Sequence, residues 1–399
     1  MPAPATTILF GACDRHNLGD LLFPHIAAAL MPGRPVRFAG LVARDMRPYG
    51  GHAVDAIADL VRELGSMPLN LVHVGGEILT CDSWAAAAML LDEADARATL
   101  ADAGHAAARA AWAATTLGTG ALAPYVLAKE RLAQGTTIVH DAVGGATLDG
   151  CDAALRGEVL AALRGADVVT VRDRRTQLSL AREGIDAALL PDPGVMVAEL
   201  FGVRIAAARE TVAVAPLARA FPQGYLAVQF SADFADDGSL NTLAAQFDQL
   251  AAATPYGLVL FRAGAAPLHD DLALLRTVRH RMRSGTRTTV FESLNIWDIC
   301  ALIAGSRGFL GSSLHGRILA LAHALPRVTL ATTPAAPGKH RAFVESWEIA
   351  AMPAVVGLND ASQAMLTALE VPRAPLAEHA RQLVALHRSG CAGWLRRLG

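Results

Sequence analysis

The groups in this chain that could do chemistry are a histidine, an arginine and several glycine-hinged loops. His315 stands in Gly311-Ser312-Ser313-Leu314-His315-Gly316-Arg317, between two apolar runs. Read as strand, tight loop and helix, that order puts the imidazole at a helix N-terminus, just past the C-terminal end of a strand. Unpaired helix N–H groups attract anions there. The helix end alone disfavours a charged ring, whereas a bound dianion favours it. His315 is therefore a candidate general acid, protonated when an acidic substrate is present. A capping or core-satisfied imidazole is the alternative. Ser313, Leu314, Gly316 and Arg317 share the loop and are candidate substrate contacts.

Further candidate residues lie where ligands usually bind. Arg172, in Val171-Arg172-Asp173, sits at a strand terminus, and its fork suits a carboxylate or phosphate; an internal pairing with Asp173 is the alternative. Asn17, Gly19 and Asp20 close the loop Gly11–Asp20, whose N–H groups could cradle an anion or simply form a capped turn. That loop is neither GxGxxG nor a Walker A sequence, so it carries no nicotinamide or ATP fingerprint. Gly75-Gly76 lets backbone approach a ligand closely or simply forms a tight turn. His140 and Arg262, each at a strand end, are possible site residues, although His140-Asp141 also reads as a surface turn. His269-Asp270-Asp271 suggests a metal, but adjacent residues cannot all converge on one ion. One of its aspartates is expected to cap a helix.

Alternating β-rich and helical runs must position these groups. Strands are expected at Thr7–Gly11, Leu69–Val74, Thr137–Val139 and Val168–Val171. Helices are expected at Leu21–Leu30 and Arg174–Glu183, the latter closed by Gly184. After the turn chemistry of Pro191-Asp192-Pro193-Gly194 the alternation restarts. Strands follow at Tyr225–Phe230, Gly257–Arg262, Thr288–Phe291 and Arg307–Leu310. Helices follow at Leu240–Ala252, Asp271–Met282, Ile296–Ile303 and Gly316–Ala324. A βα period implies parallel sheets covered on both faces. The fold class is α/β, with two Rossmann-like domains whose strand ends face a central cleft. Residues 1–200 are expected to form the first domain, residues 201–375 the second, with His315, and residues 376–399 a C-terminal helix.

Composition excludes several classes. A net charge of −2 with no basic stripe gives no reason to expect a nucleic-acid partner. The five cysteines are far apart and lack CxxC spacing, which argues for a reducing, cytoplasmic compartment and against a disulfide framework or a zinc site. No secretory pattern opens the chain. The Ala-rich run Trp84–Ala114 is broken by Asp92, Glu93, Asp95, Arg97 and Asp102, so it reads as helical and not membrane-spanning. Peripheral membrane association remains compatible.

Several of these motifs together resemble the polysaccharide pyruvyl transferase family. They are Asn17-Leu18-Gly19-Asp20 after the first strand, Gly75-Gly76, Val171-Arg172-Asp173 with Gly184-Ile185, Asp192-Pro193, and Leu314-His315-Gly316 before an apolar helix. The resemblance implies a fold similar to the two-domain glycosyltransferase B architecture. It implies transfer of a pyruvyl group from phosphoenolpyruvate to hydroxyls of a sugar, free or on a lipid- or nucleotide-linked glycan precursor, forming a ketal and releasing phosphate. His315 and Leu314 match the donor motif, and Arg172 matches an arginine that would hold phosphoenolpyruvate. The family often has arginine directly before Leu-His; Ser313 stands here, with Arg317 just beyond. No cofactor or metal is expected beyond the co-substrate.

Two other functions stay open. A nucleotide-sugar glycosyltransferase of the same architecture would need an acid near the end of domain two, for which Glu345 and Glu348 are available. A non-catalytic sugar-phosphate-binding protein of glycan assembly would tolerate Ser313.

Overall fold

A computed structural model describes residues 5–101, 104–283 and 285–398. The chain divides into two compact units, Met1–Pro193 with Ala385–Gly399, and Gly194–Val384.

The first unit is built on eight strands: β1 (Thr6–Phe10), β2 (Val36–Gly40), β3 (Arg44–Asp45), β4 (Ala53–Ala56), β5 (Leu69–His73), β6 (Thr137–Val143), β7 (Val168–Val171) and β8 (Ala188–Leu189). Their order is β3-β4-β2-β1-β5-β6-β7-β8. All pairs are parallel except β3 with β4. β5 is buried along its whole length, as a sheet covered on both faces requires. One face packs Ile8, Phe10, Leu71 and Ile138. The other packs Leu9, Val72 and Val139 against Cys391, Trp394 and Leu398 of the C-terminal segment.

The second unit repeats the plan with β9 (Tyr225–Gln229), β10 (Gly257–Phe261), β11 (Thr288–Phe291), β12 (Phe309–Gly311), β13 (Arg327–Leu330) and β14 (Val355–Val356). The order is β11-β10-β9-β12-β13-β14, all parallel. Leu226, Val228, Leu258, Leu260, Leu310 and Val328 fill its core.

Each sheet has one point where the strand order reverses direction. In the first it lies between β1 and β5, in the second between β9 and β12. Open α/β sheets bind ligands outside the strand C-termini at such points.

Every expected strand has an observed counterpart, with ends shifted by a residue or two, and β6 is four residues longer than expected. His140 and Asp141 therefore lie inside a strand, buried, and not in a surface turn. The irregularity between His140 and Val143, where Ala142 has φ +47°, breaks the alternation that would have marked the strand's length. β2, β3, β4, β8, β13 and β14 were not expected; most are short or begin with charged residues. The Ala-rich run holds helices Ser83–Ala88, Glu93–Ala101 and Ala106–Leu117, and its residues 102 and 103 lie outside the described residues. No described helix is long and apolar enough to cross a membrane.

Candidate functional site

In the first unit the loops after β1 and β5 meet at the reversal point. Asn17 caps helix Leu18–Ala29 through its Oδ1, which accepts from Gly19 N at 3.1 Å and Asp20 N at 3.4 Å. Asn17 is thus spent on the helix end, worth typically about 1 kcal/mol. Gly75 and Gly76 both have left-handed φ, +81° and +85°. A Cβ on Gly75 would meet the Phe23 ring at 3.2 Å, and one on Gly76 would meet Asp20 Oδ1 at 3.3 Å. The double glycine lets the two loops close on each other.

Arg15, in the same β1 loop, was not singled out from sequence. It is buried, donates to the Tyr125 hydroxyl at 3.0 Å and lies 3.7 Å from Asp20. The Tyr125 hydroxyl donates in turn to Asp14 Oδ1 at 3.1 Å, while Asp14 Oδ2 accepts from Leu41 N and Val42 N. This cluster fixes the β1 loop against the start of the β2 loop.

Arg172 follows β7 and is only 3% exposed. Its Nη1 donates to Asp192 Oδ2 at 2.9 Å and its Nη2 to Glu77 Oε2 at 2.5 Å. Burial opposes the guanidinium charge, but the two carboxylates more than offset it and hold Arg172 firmly protonated. The bridge joins two motifs that are separate in sequence, Gly75-Gly76-Glu77 and Asp192-Pro193. Any substrate anion must compete with Glu77 and Asp192 for this cation. Glu77 Oε1 also accepts from Ala146 N at 2.8 Å. Gly144 is required here, because a Cβ would overlap Glu77 Oε2 and Arg172 Nε. Asp173 is not the partner of Arg172 by hydrogen bond; it caps helix Arg174–Arg182, accepting from Thr176 N at 2.8 Å.

His140 stacks on His73 at 4.0 Å across the β5–β6 pair, with neither ring exposed. Burial, and then the neighbouring His73, press its pKa well below the usual value. Sealed from solvent, it is a core histidine.

In the second unit the reversal point gathers the ends of β9, β10 and β12. Helix Leu314–Ala322 starts two residues earlier than expected, and Ser313 is its cap, accepting from Gly316 N at 3.1 Å. Capping is a physical reason for serine at this position. His315 lies in the first turn, with Leu314 buried beneath it. Gly316 packs against the face of Phe309, where a Cβ would overlap the ring. The Ser312 hydroxyl accepts from Ser231 N at 2.9 Å, tying the β12 loop to β9.

Arg317 does not stand in for the cation missing at Ser313. It is fully buried, with Glu348 at 2.8 Å, Thr329 Oγ1 at 3.0 Å and the Pro353 carbonyl at 2.9 Å. Arg327, also fully buried, reaches Glu348 at 2.6 Å. One carboxylate thus neutralises part of the charge on two enclosed guanidinia, and they hold it ionised against its burial, below the ordinary range. Glu348 is consumed by this triad, while Glu345 pairs with Arg341 at 2.8 Å.

Asp271 caps helix Leu272–Arg281. Asp270 is a buried clamp: it accepts from Gln229 Nε2 at 2.7 Å, Ala263 N at 2.6 Å and Gly264 N at 3.2 Å. Burial pushes its pKa up to about 7, against these hydrogen bonds and the nearby Arg262. Arg262 Nε is buried without a hydrogen-bond partner. Beside Ser312 opens a cavity of about 300 Å³, lined among others by Asp233, Thr332, Thr333, His340 and Arg341. It reaches the N-terminus of helix Lys339–Trp347. That Gly-Lys-His-Arg start was the available sequence signal.

Asp141, His387 and Cys391 also converge in the first unit, their ligand atoms all within 4.8 Å of one another. Cysteine spacing gave no hint of this, because the residues come from a strand and from the C-terminal helix.

Comparison with known proteins places this geometry. No curated protein sequence matches the chain. Among solved structures, UDP-GlcNAc 2-epimerase from Neisseria meningitidis bound to UDP-GlcNAc aligns with a TM-score of 0.58 at 12% identity, covering 98% of this chain and 100% of that one. The Methanocaldococcus jannaschii UDP-GlcNAc 2-epimerase aligns at 0.56 and 11%, covering 96% and 98%. Anabaena HepE in complex with UDP-glucose aligns at 0.52 and 12%, covering 98% and 99%. These likenesses establish the glycosyltransferase B type of fold. Residues 103–334 match the polysaccharide pyruvyl transferase profile, a stretch that includes both Arg172 and His315. The chain belongs to the polysaccharide pyruvyl transferase family.

Proposed function

We propose that the protein transfers a pyruvyl group from phosphoenolpyruvate to two hydroxyls of a sugar in a glycan or glycan precursor. The supporting observation is the placement of Leu314-His315 in the first helical turn at the reversal point of the second sheet, inside the stretch that matches the family.

The chemistry begins with proton delivery to C3 of phosphoenolpyruvate, which makes C2 an oxocarbenium-like electrophile. One sugar hydroxyl adds to C2. The C2–O bond to phosphate breaks, and a second hydroxyl closes the ketal. Of the two hydroxyl protons released, one balances the proton gained by C3 and the other leaves with phosphate. His315 supplies the first proton. Helix N–H groups beside it meet the donor's negative charge.

Arg172 takes up a donor oxyanion by exchanging one of its carboxylates. Glu77 is the displaceable partner, 22% exposed where Asp192 is fully enclosed. The Gly75-Gly76 loop offers backbone N–H groups to the acceptor or to its lipid or nucleotide carrier. Neither a divalent metal nor a further cofactor enters the chemistry, and the five free cysteines suit a reducing cytoplasm.

A thermal-shift comparison tests the donor. Phosphoenolpyruvate at 100 times its dissociation constant should add about 2.7 kcal/mol of stability. Stabilisation by nucleotide-sugars alone would overturn the assignment. That second reading draws on the cavity at Ser312, Thr332 and His340 and on fold neighbours that carry UDP-sugars. It loses Glu348, one of its two acids, to the buried arginines.

A further inference from the structure

A buried cluster in the first unit has the composition of a metal site. Asp141 comes from β6, and His387 and Cys391 stand one turn apart on helix Arg373–Leu395. All three are buried, with His387 and Cys391 fully enclosed.

The surroundings orient each donor. His387 Nδ1 lies 2.8 Å from the Pro191 carbonyl, so that nitrogen carries the hydrogen and Nε2 keeps its lone pair. The lone pair faces Cys391 Sγ at 3.1 Å. Trp394 Nε1 donates to Asp141 Oδ1 at 3.1 Å, holding the carboxylate in place. A ligating imidazole fixed by a carbonyl on its far nitrogen, and a ligating carboxylate that is itself hydrogen-bonded, are recurrent features of metal centres.

We propose that Asp141, His387 and Cys391 bind one divalent, thiolate-accepting cation of the zinc class, which fastens the C-terminal helix to the first sheet. Thiolate, imidazole and carboxylate together select such an ion over magnesium or calcium. A dication with one thiolate and one carboxylate is electrically neutral, which removes the penalty of enclosing an isolated carboxylate. Cys391 ligates as its thiolate, so the ion displaces the thiol proton, and binding strengthens as pH rises. Sulfur and nitrogen would move from 3.1 Å to about 3.5 Å apart around a tetrahedral ion. Bidentate Asp141 completes four ligands without water, in keeping with an enclosed structural site.

Tag-free protein under reducing conditions is incubated with zinc or cobalt and freed of excess ion. Wild type is expected to retain about one ion per chain. The cobalt form should show a sulfur-to-metal charge-transfer band, and zinc should raise the melting temperature by roughly 5–10 °C. Cys391→Ser should lose the retained ion and the band, whereas Cys81→Ser and Cys151→Ser, at the partly exposed thiols, should keep both. The cobalt band in wild type needs no variant to fold. Wild type that retains no ion, or cobalt-loaded protein without a thiolate band, overturns the proposal, as does full retention by folded Cys391→Ser.

Discussion

Replacing Arg172 by leucine removes the shared partner of two carboxylates. Asp192 is fully enclosed and 2.9 Å from the guanidinium; Glu77 is mostly covered and 2.5 Å from it. Breaking a buried ion pair from one side costs about 3–5 kcal/mol, because a charge is left without compensation. Asp192 meets that condition fully and Glu77 in part, so the loss for Arg172→Leu should fall in this range. At about 2–4 °C per kcal/mol for a unit of this size, the melting temperature should drop by roughly 6–20 °C. Arg172→Lys keeps the charge but cannot fork between two carboxylates. It should melt between wild type and Arg172→Leu, remain folded, and show a raised KM for phosphoenolpyruvate. Urea unfolding of the purified variants, followed by circular dichroism, gives the stability change. A loss under about 1 kcal/mol for Arg172→Leu would refute the reasoning, since the bridge would then not organise the loops it joins.

Glu77→Gln removes the carboxylate that competes with donor oxyanions for Arg172, so steady-state kinetics should show a lower KM for phosphoenolpyruvate in a protein that still folds. Glu348→Gln leaves Arg317 and Arg327 enclosed without a counter-charge and should cost about 3–5 kcal/mol in denaturant unfolding. Burial holds the His73 pKa near 4 against an ordinary 6.5. The unfolded chain therefore takes up a proton below pH 6.5 that the folded chain refuses, and stability falls as pH drops from 6.5 to 4, by on the order of 3 kcal/mol. Unfolding of His73→Gln across that window should lack this part of the slope.

Much of the fold was legible because buried parallel strands announce themselves as continuous apolar runs. Val168–Val171 and Thr288–Phe291 could be bounded to the residue. β13, Arg327–Leu330, opens on an arginine that is wholly internal, satisfied by Glu348 and the Leu325 carbonyl. The reversal-point loops were legible from glycine and Asx chemistry after strands. What each polar group touches was not. Arg172 and Asp173 are neighbours in sequence, yet one bridges to residues 77 and 192 and the other caps a helix. Arg317 points into the core although it follows His315 by only two residues on the same helix. The Asp141–His387–Cys391 cluster joins positions about 250 residues apart, a separation that no spacing rule spans.

The most direct test offers purified protein phosphoenolpyruvate with a panel of diol-bearing sugars, free, lipid-linked and nucleotide-linked, and follows inorganic phosphate. The account predicts phosphate release only in the presence of an acceptor, matched by ketal formed, and a drop of about 10²–10⁴-fold in turnover for His315→Ala. No acceptor-dependent release from phosphoenolpyruvate, with sugar transfer from a nucleotide donor in its place, would contradict it.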